Sequence, residues 1–104
     1  MTQDKRTEVI SHPGEILKEE FLDELDVSIS QLAGAIDVTR ARVNEIVRGK
    51  RGITADTALR FGLFFKTSPE FWMNLQRQYD LVLAASKLVD ILPTLRHIDE
   101  IRVR

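Results

Sequence analysis

The first regular pattern of apolar side chains follows His12, Pro13 and Gly14. Apolar positions recur there at intervals of three and four residues, which is the spacing of one face of an α-helix. The pattern predicts an amphipathic helix over residues 13–25 with a proline in its first turn, where a missing backbone N–H is tolerated. Its apolar positions are Ile16, Leu17, Phe21, Leu22 and Leu25.

Two shorter helices are predicted next, joined by a tight turn. Ser28 and Gln31 have the spacing of a capping box, in which each side chain bonds a free backbone N–H at a helix start. A helix over 29–36 follows, and Thr39 is placed to cap a third helix over 40–48. The inward positions of the two helices are Ile29, Leu32, Ala33 and Ile36, then Val43, Ile46 and Val47.

Two longer helices are predicted in the second half of the chain. Thr54 caps the first of them, which runs to about Phe65. The apolar side chains of this helix cover most of its circumference, so we expect it to be the buried central helix. Ser68 and Pro69 begin the other, which can continue to about Leu92, where the next residue is a proline. The tail beyond that proline fits a helix or a strand.

The long helix has more apolar side chains than one small core needs. Surplus apolar surface is typical of an interface between subunits, so the pattern predicts a homodimer. The predicted interface residues are Phe71, Trp72, Leu75, Tyr79, Val82 and Leu83.

Composition is consistent with one small all-α domain. The chain has 104 residues, of which 43% are hydrophobic and 30% charged, enough apolar side chains for a core. We expect a flexible N-terminal arm over 1–11, the folded domain over 12–92 and a C-terminal tail over 93–104. Without cysteine, a signal-peptide pattern or a run of roughly 18 apolar residues, we expect a cytoplasmic protein outside the membrane.

Charge is balanced overall but segregated along the chain. The formal net charge is −1, yet residues 15–26 have six acidic side chains against one lysine, whereas residues 39–51 have five basic ones against Glu45. A concentrated basic segment on a nearly neutral protein favours a polyanion bound on one side. The alternative explanation is an ordinary solvated face.

Position on the third helix decides which of these side chains can contact DNA. A helical wheel places the face opposite Val43 and Ile46 outward, and an exposed helix of this kind can enter the major groove. The predicted base contacts are Arg40, Ala41, Asn44 and Glu45, because these side chains match guanine, the thymine methyl, adenine and the cytosine amino group. The predicted phosphate contacts are Ser28, Ser30, Thr39, Arg42, Arg48, Lys50 and Arg51.

Enzyme chemistry finds little support in the sequence. His12 and His97 are far apart and lack neighbouring ligands, so we expect no metal site. The carboxylates of the first helix form a row that normally faces solvent. Trp72 and Tyr79 could line a small-molecule site, but no nucleophile with its base and no phosphate-binding loop accompanies them. We therefore predict no catalytic residues and no cofactor.

Three strings resemble the HigA/VapI antitoxins, a branch of the XRE family of lambda-repressor-like helix-turn-helix proteins. They are HPGEILKEEFL, LAGAIDVTRARVNEIVRGKRGITADTALRFGLFF and TSPEFWMNLQRQYDL, within residues 12–81. The resemblance implies a five-helix lambda-repressor-like domain, here with a long C-terminal helix and a short tail. It also implies a dimer on a palindromic operator of its own operon and a HigB-type ribonuclease toxin as partner.

The sequence departs from the family pattern at two positions. Asp37 stands where similar repressors have a turn glycine, and Gly34 lies inside the second helix, where it costs about 1 kcal/mol relative to alanine unless packing requires it. Residues 82–104 lie outside the resemblance. An XRE-family regulator without a toxin therefore stays open as the alternative function.

Overall fold

Helix α1 begins where the extended chain is capped by His12. We describe residues 10–102 of a computed structural model, so positions 1–9 of the predicted arm lie outside the described residues. His12 Nδ1 accepts a hydrogen bond from the Gly14 N–H at 2.8 Å, which satisfies one donor of the helix N-terminus. The predicted helix over 13–25 is confirmed. Its three consecutive sections are α-helical Pro13–Ile16, π-helical Leu17–Leu22 and α-helical Asp23–Leu25.

Helices α2 and α3 form the predicted pair of short helices. Helix α2 spans Ile29–Ile36, and the capping box of Ser28 and Gln31 is present in both directions. Asp37 ends α2 with the left-handed φ of 61°, which lets the chain turn within three residues. Helix α3 spans Arg40–Val47 and is capped by the Thr39 hydroxyl.

Helices α4 and α5 complete the core. Helix α4 spans Ala55–Phe65 and α5 begins at Pro69. Helix α4 is buried on one face only, since Leu59 and Leu63 are 62% and 85% exposed, so the prediction of a wholly buried central helix is wrong. Five helices and the α3–α4 loop supply the core, which consists of Leu17, Leu22, Leu32, Ala33, Ile36, Val43, Ile46, Ile53, Ala58, Phe61 and Trp72.

The C-terminal part departs from the predicted long helix. Helix α5 spans Pro69–Lys87 and gives way to turns, then to a 3₁₀ turn at Leu92–Thr94 and a short helix α6 at Ile98–Ile101. The regular helix thus ends five residues before the predicted Leu92. Val89, Asp90 and Ile91 are weak helix formers, and no residue described between 73 and 102 belongs to the buried core. Residues 10–102 contain no strand, so the tail takes the helical alternative as far as Arg102. Residues 103 and 104 of the predicted tail lie outside the described residues.

Candidate nucleic-acid interface

One face of helix α3 is exposed because its apolar stripe packs inward. Val43 and Ile46 are buried, and Gly14 of α1 lies so close to the Ile46 carbonyl that a Cβ at position 14 would overlap its oxygen. On the opposite side Ala41 is exposed and Asn44 half-buried. The predicted orientation of α3 about its own axis, with Val43 and Ile46 inward, is confirmed.

The start of α3 is linked to α2 through Arg40. Its Nε donates a hydrogen bond to the Ser30 Oγ at 2.9 Å, and both side chains are exposed. A predicted base contact and a predicted phosphate contact therefore lie together. The terminal nitrogens of the Arg40 guanidinium are still oriented to donate elsewhere, because Ser30 engages Nε alone.

Two predicted phosphate contacts also cap helices. Ser28 Oγ accepts from the Gln31 N–H at 3.0 Å, and Thr39 Oγ1 accepts from the Arg42 N–H at 3.1 Å. Each hydroxyl keeps its own proton for a further acceptor. Since both residues are exposed at helix N-termini, they combine a hydroxyl donor with the positive end of a helix dipole.

The basic loop that follows α3, residues 49–52, folds back against the helix. Gly49 has a φ of 76°, and the Lys50 N–H bonds the Glu45 carbonyl at 2.8 Å. Arg51 forms an ion pair with the Glu45 carboxylate at 2.7 Å. Two predicted DNA contacts thus bind each other, while Arg48 and Lys50 are exposed.

Arg42, a predicted phosphate contact, bonds two side chains of the next helix. Its Nη2 lies 2.8 Å from both the Asp56 Oδ1 and the Thr57 Oγ1, at the start of α4. Thr57 is buried and the Arg42 side chain is 28% exposed. Arg42 therefore links α3 to α4, because a long side chain on the flank of a helix can bend toward a carboxylate of a neighbouring helix. Its contact to phosphate stays a prediction.

Asp56 joins the three helices of this region. Its Oδ1 accepts from Arg60 Nε at 2.7 Å in addition to Arg42, and Arg60 Nη1 bonds the Ile36 carbonyl at the end of α2. The hydrogen bonds from Arg60 and then Arg42 lower the pKa of Asp56, and the same carboxylate raises the pKa of Arg60. This network was not predicted from the sequence, although Asp56 and Arg60 have the i, i+4 spacing of a helical ion pair.

The predicted dimer surface is divided by the structure. Trp72 is fully buried, and its Nε1 donates to Thr67 Oγ1 at 2.8 Å, so its assignment to the interface is corrected to the core of a single chain. Phe71 and Leu83 are exposed, at 37% and 41%. The remaining predicted members, Leu75, Tyr79 and Val82, are half-buried.

These features define a helix-turn-helix protein: a capped helix pair, a three-residue turn and an outward second helix with a basic end. The helix-turn-helix family model matches residues 17–72. Virulence-associated protein I of Dichelobacter nodosus is 52% identical over 73 residues, which cover 70% of this chain and 68% of that protein.

Solved structures are similar over more of the chain. The Pseudomonas aeruginosa antitoxin HigA with higBA promoter has a TM-score of 0.82 at 46% identity and covers 86% of this chain and 97% of its own. Antitoxin GraA in complex with its operator has the same TM-score at 38% identity, covering 94% and 98%. The chain belongs to the XRE-type helix-turn-helix family, in the branch of the HigA and VapI antitoxins, a non-enzymatic class.

Proposed function

We propose that this chain is an operator-binding antitoxin that represses its own operon as a dimer and neutralises a ribonuclease toxin in the cytoplasm. The observation that carries the DNA-binding part is the exposed face of α3 with its basic C-terminal end. Relatives of the same fold have been solved with promoter or operator DNA. An exposed recognition helix of this length reads a few base pairs, so two copies are needed for useful discrimination.

Base recognition is assigned to four side chains of α3. Arg40 can donate twice to guanine, Asn44 can pair with adenine, and Ala41 can contact a thymine methyl. Glu45 can accept from cytosine when Arg51 turns from the Glu45 carboxylate to a phosphate. In this scheme the ion pair at 2.7 Å balances the charge of the Glu45 carboxylate in the free protein. On binding, the pair is exchanged for one contact from each side chain to DNA.

Phosphate binding is assigned to both ends of the helix pair. Ser28, Ser30 and Thr39 lie at the N-termini of α2 and α3, and their hydroxyls can donate to phosphate oxygens. Arg48, Lys50 and Arg51 supply charge at the other end of α3. Neutralising phosphates releases counterions, so affinity is expected to fall linearly with salt on logarithmic axes.

Charge reversal on α3 tests this assignment. The probe is a duplex covering the region upstream of this chain's gene, titrated by fluorescence anisotropy. Arg40→Glu with Arg48→Glu is expected to weaken binding by about 100-fold or more, since one bidentate base contact is worth about 1–3 kcal/mol. The matched control is Lys66→Glu with Lys87→Glu, which makes the same charge change at exposed positions outside α3. Equal losses in both variants would contradict the assignment.

The toxin partner is proposed from the family. A small ribonuclease-like reading frame beside the gene is expected, and co-expression should give a stable complex and restore growth. An XRE-family regulator without a toxin is the second candidate, because a Haemophilus influenzae protein described as an HTH-type transcriptional regulator is 47% identical over 68 residues. Operator binding without growth rescue would favour that second candidate.

A further inference from the structure

The basic loop after α3 is attached to helix α5 by Gln76. Its Oε1 accepts a hydrogen bond from the Ile53 N–H at 2.7 Å. Ile53 is 3% exposed, so its N–H needs a partner within the protein. The end of the loop is thereby bound to α5, which lies outside the helix-turn-helix.

The orientation of the Gln76 amide is determined on both sides. Its Nε2 donates to Asp80 Oδ1, one turn further along α5, at 2.9 Å. Because a carboxylate accepts and a backbone N–H donates, the amide oxygen has to face Ile53. The two partners together leave one productive orientation of the side chain.

Close packing strengthens this attachment. A Cβ at position 52 would lie 3.0 Å from Gln76 Oε1 and 3.1 Å from Nε2, so the loop backbone rests directly on the amide. At the other end of the loop, Gly49 lies beside the His12 ring, which packs edge-on against Tyr79 of α5 at 4.9 Å. Gln76, Tyr79 and Asp80 lie on one face of α5, given their i, i+3, i+4 spacing.

We propose that Gln76 is a positioning residue for DNA binding, holding the basic loop where Lys50 and Arg51 reach the phosphates, with Asp80 orienting its amide. The inference rests on the proposed function. In the free protein Arg51 pairs with Glu45, and on DNA its side chain turns to a phosphate. Gln76 holds the loop backbone from the α5 side in both states. Without Gln76 the loop samples more positions, and each phosphate contact costs more conformational entropy.

Gln76→Leu tests the proposal because leucine approximates the size of glutamine without its acceptor or donor. Two duplexes are used, the upstream region of the gene and a scrambled sequence of equal length, and affinity is measured over a range of salt concentrations. We expect weaker binding to both duplexes. The slope of log K against log salt is negative, and its magnitude should fall by about 1 or more per bound chain. A purely structural role would lower affinity with the folded fraction and leave this slope unchanged.

Matched variants separate positioning from loss of structure. Gln78→Leu makes the same change at an exposed site two residues away and should keep the wild-type slope. Gln76→Glu with Asp80→Asn reverses donor and acceptor between the two side chains while keeping the net charge, and should restore the slope. If Gln76→Leu does not fold, Asp80→Ala takes its place, because it removes the acceptor that orients the Gln76 amide. This variant is expected to reduce the magnitude of the slope by less than the complete loss of Gln76 would.

The outcomes distinguish this inference from the proposed function. Light scattering must give the same mass for all variants, because loss of a dimer would also reduce the slope. A wild-type slope in Gln76→Leu, or no restoration in the exchanged pair, would overturn the proposal for Gln76 alone. Absence of DNA binding by the wild-type protein would contradict the proposed function and this inference with it.

Discussion

Two glycines of this chain stand in opposite packing environments. Gly14 lies at the contact of α1 with α3, where a Cβ would overlap the Ile46 carbonyl oxygen, whereas a Cβ at Gly34 would meet no described atom outside its own stretch of helix within 4 Å. Gly14 is thus required for the close packing of α3 on α1. Gly34 has no such packing reason and only adds backbone entropy to the unfolded chain.

Alanine at these positions should change stability in opposite directions. Gly34→Ala is expected to raise the free energy of unfolding by about 0.5–1 kcal/mol, because alanine is the better helix former. Gly14→Ala is expected to lower it by roughly 1–3 kcal/mol through overpacking. Urea denaturation measures both, and destabilisation by Gly34→Ala would contradict the open environment assigned to Gly34.

The protonation of His12 makes the capping of α1 depend on pH. Burial lowers its pKa, against the opposing influence of Asp80 and then Glu15, and neutral Nδ1 is the acceptor for the Gly14 N–H. As pH falls, His12 is therefore protonated at a higher pH in the unfolded chain than in the folded protein. This contribution to stability is complete above about pH 6.5 and is lost as pH falls from there toward the lowered pKa.

Asparagine at position 12 should remove this dependence. His12→Asn keeps a side-chain acceptor of the kind favoured at N-caps and does not titrate. Thermal unfolding of the wild type is expected to shift to lower temperature between pH 7 and 5 more than that of the variant. Parallel shifts in the two proteins would contradict the role assigned to His12.

At the scale of elements, Asp56 sets how α2, α3 and α4 meet. It accepts from Arg42 of α3 and from Arg60 of α4, and Arg60 also bonds the end of α2. Because these bonds lower its pKa, the stabilisation is present above about pH 3.9 and is lost as pH falls below that value.

Neutralising Asp56 should weaken this junction. Asp56→Asn is expected to lower the melting temperature at pH 7 and to reduce the loss of stability between pH 4 and 2, because the charge-assisted bonds are already missing. Asp90→Asn, at an exposed residue in the turns after α5, is the charge-matched control. If both variants melt at the same temperature, the network contributes nothing measurable.

The helices were predictable where a cap and an apolar stripe agree. The bounds 29–36 follow from the capping box of Ser28 and Gln31, and Thr39 fixes the start of α3 in the same way. The π-helical section of α1 was not predictable, because apolar spacing does not distinguish it from an α-helix. Pro93 predicts too late an end for α5, because the helix already stops at Lys87, ahead of the weak helix formers Val89, Asp90 and Ile91.

The sequence predicts which side chains of α3 face outward, but not which residues these side chains bond. The wheel orients Ala41 and Asn44 correctly, since these short side chains follow the helix face. It does not show that Arg42 bonds Asp56, 14 residues away in the sequence, and it cannot find Gln76, whose partner Ile53 becomes its neighbour only through packing. The interface prediction fails at Trp72 because apolarity does not distinguish a core from a contact between chains.

At the scale of the whole molecule, the chain is elongated. Its radius of gyration is 18.1 Å and its extents are 60 × 39 × 22 Å, while a compact chain of this length has a radius near about 13 Å. Every residue from Leu83 to Arg102 is exposed, including Leu88, Ile91, Leu95 and Ile98. On α5 itself the exposed apolar side chains are Phe71, Met73, Leu81 and Leu83, and they support the proposed dimer through α5. No helix among the described residues is long and apolar enough to cross a membrane.

Charge on α5 should separate the subunits. Leu83→Glu is expected to halve the mass measured by light scattering at micromolar concentration, because burying an unpaired carboxylate in an apolar contact is unfavourable. Leu63→Glu, at the 85% exposed position on α4, should leave the mass unchanged. A wild-type protein that is already monomeric, or equal masses for all three proteins, would exclude α5 as the dimer contact.

Hydroxyl-radical footprinting on the upstream duplex tests the central claim most directly. Two α3 helices related by a twofold axis should protect two patches on one face of the duplex, with centres one helical turn or about 34 Å apart. Arg40→Glu with Arg48→Glu should lose both patches together. A single patch, or patches on opposite faces, would contradict a dimer that presents α3 twice to one duplex.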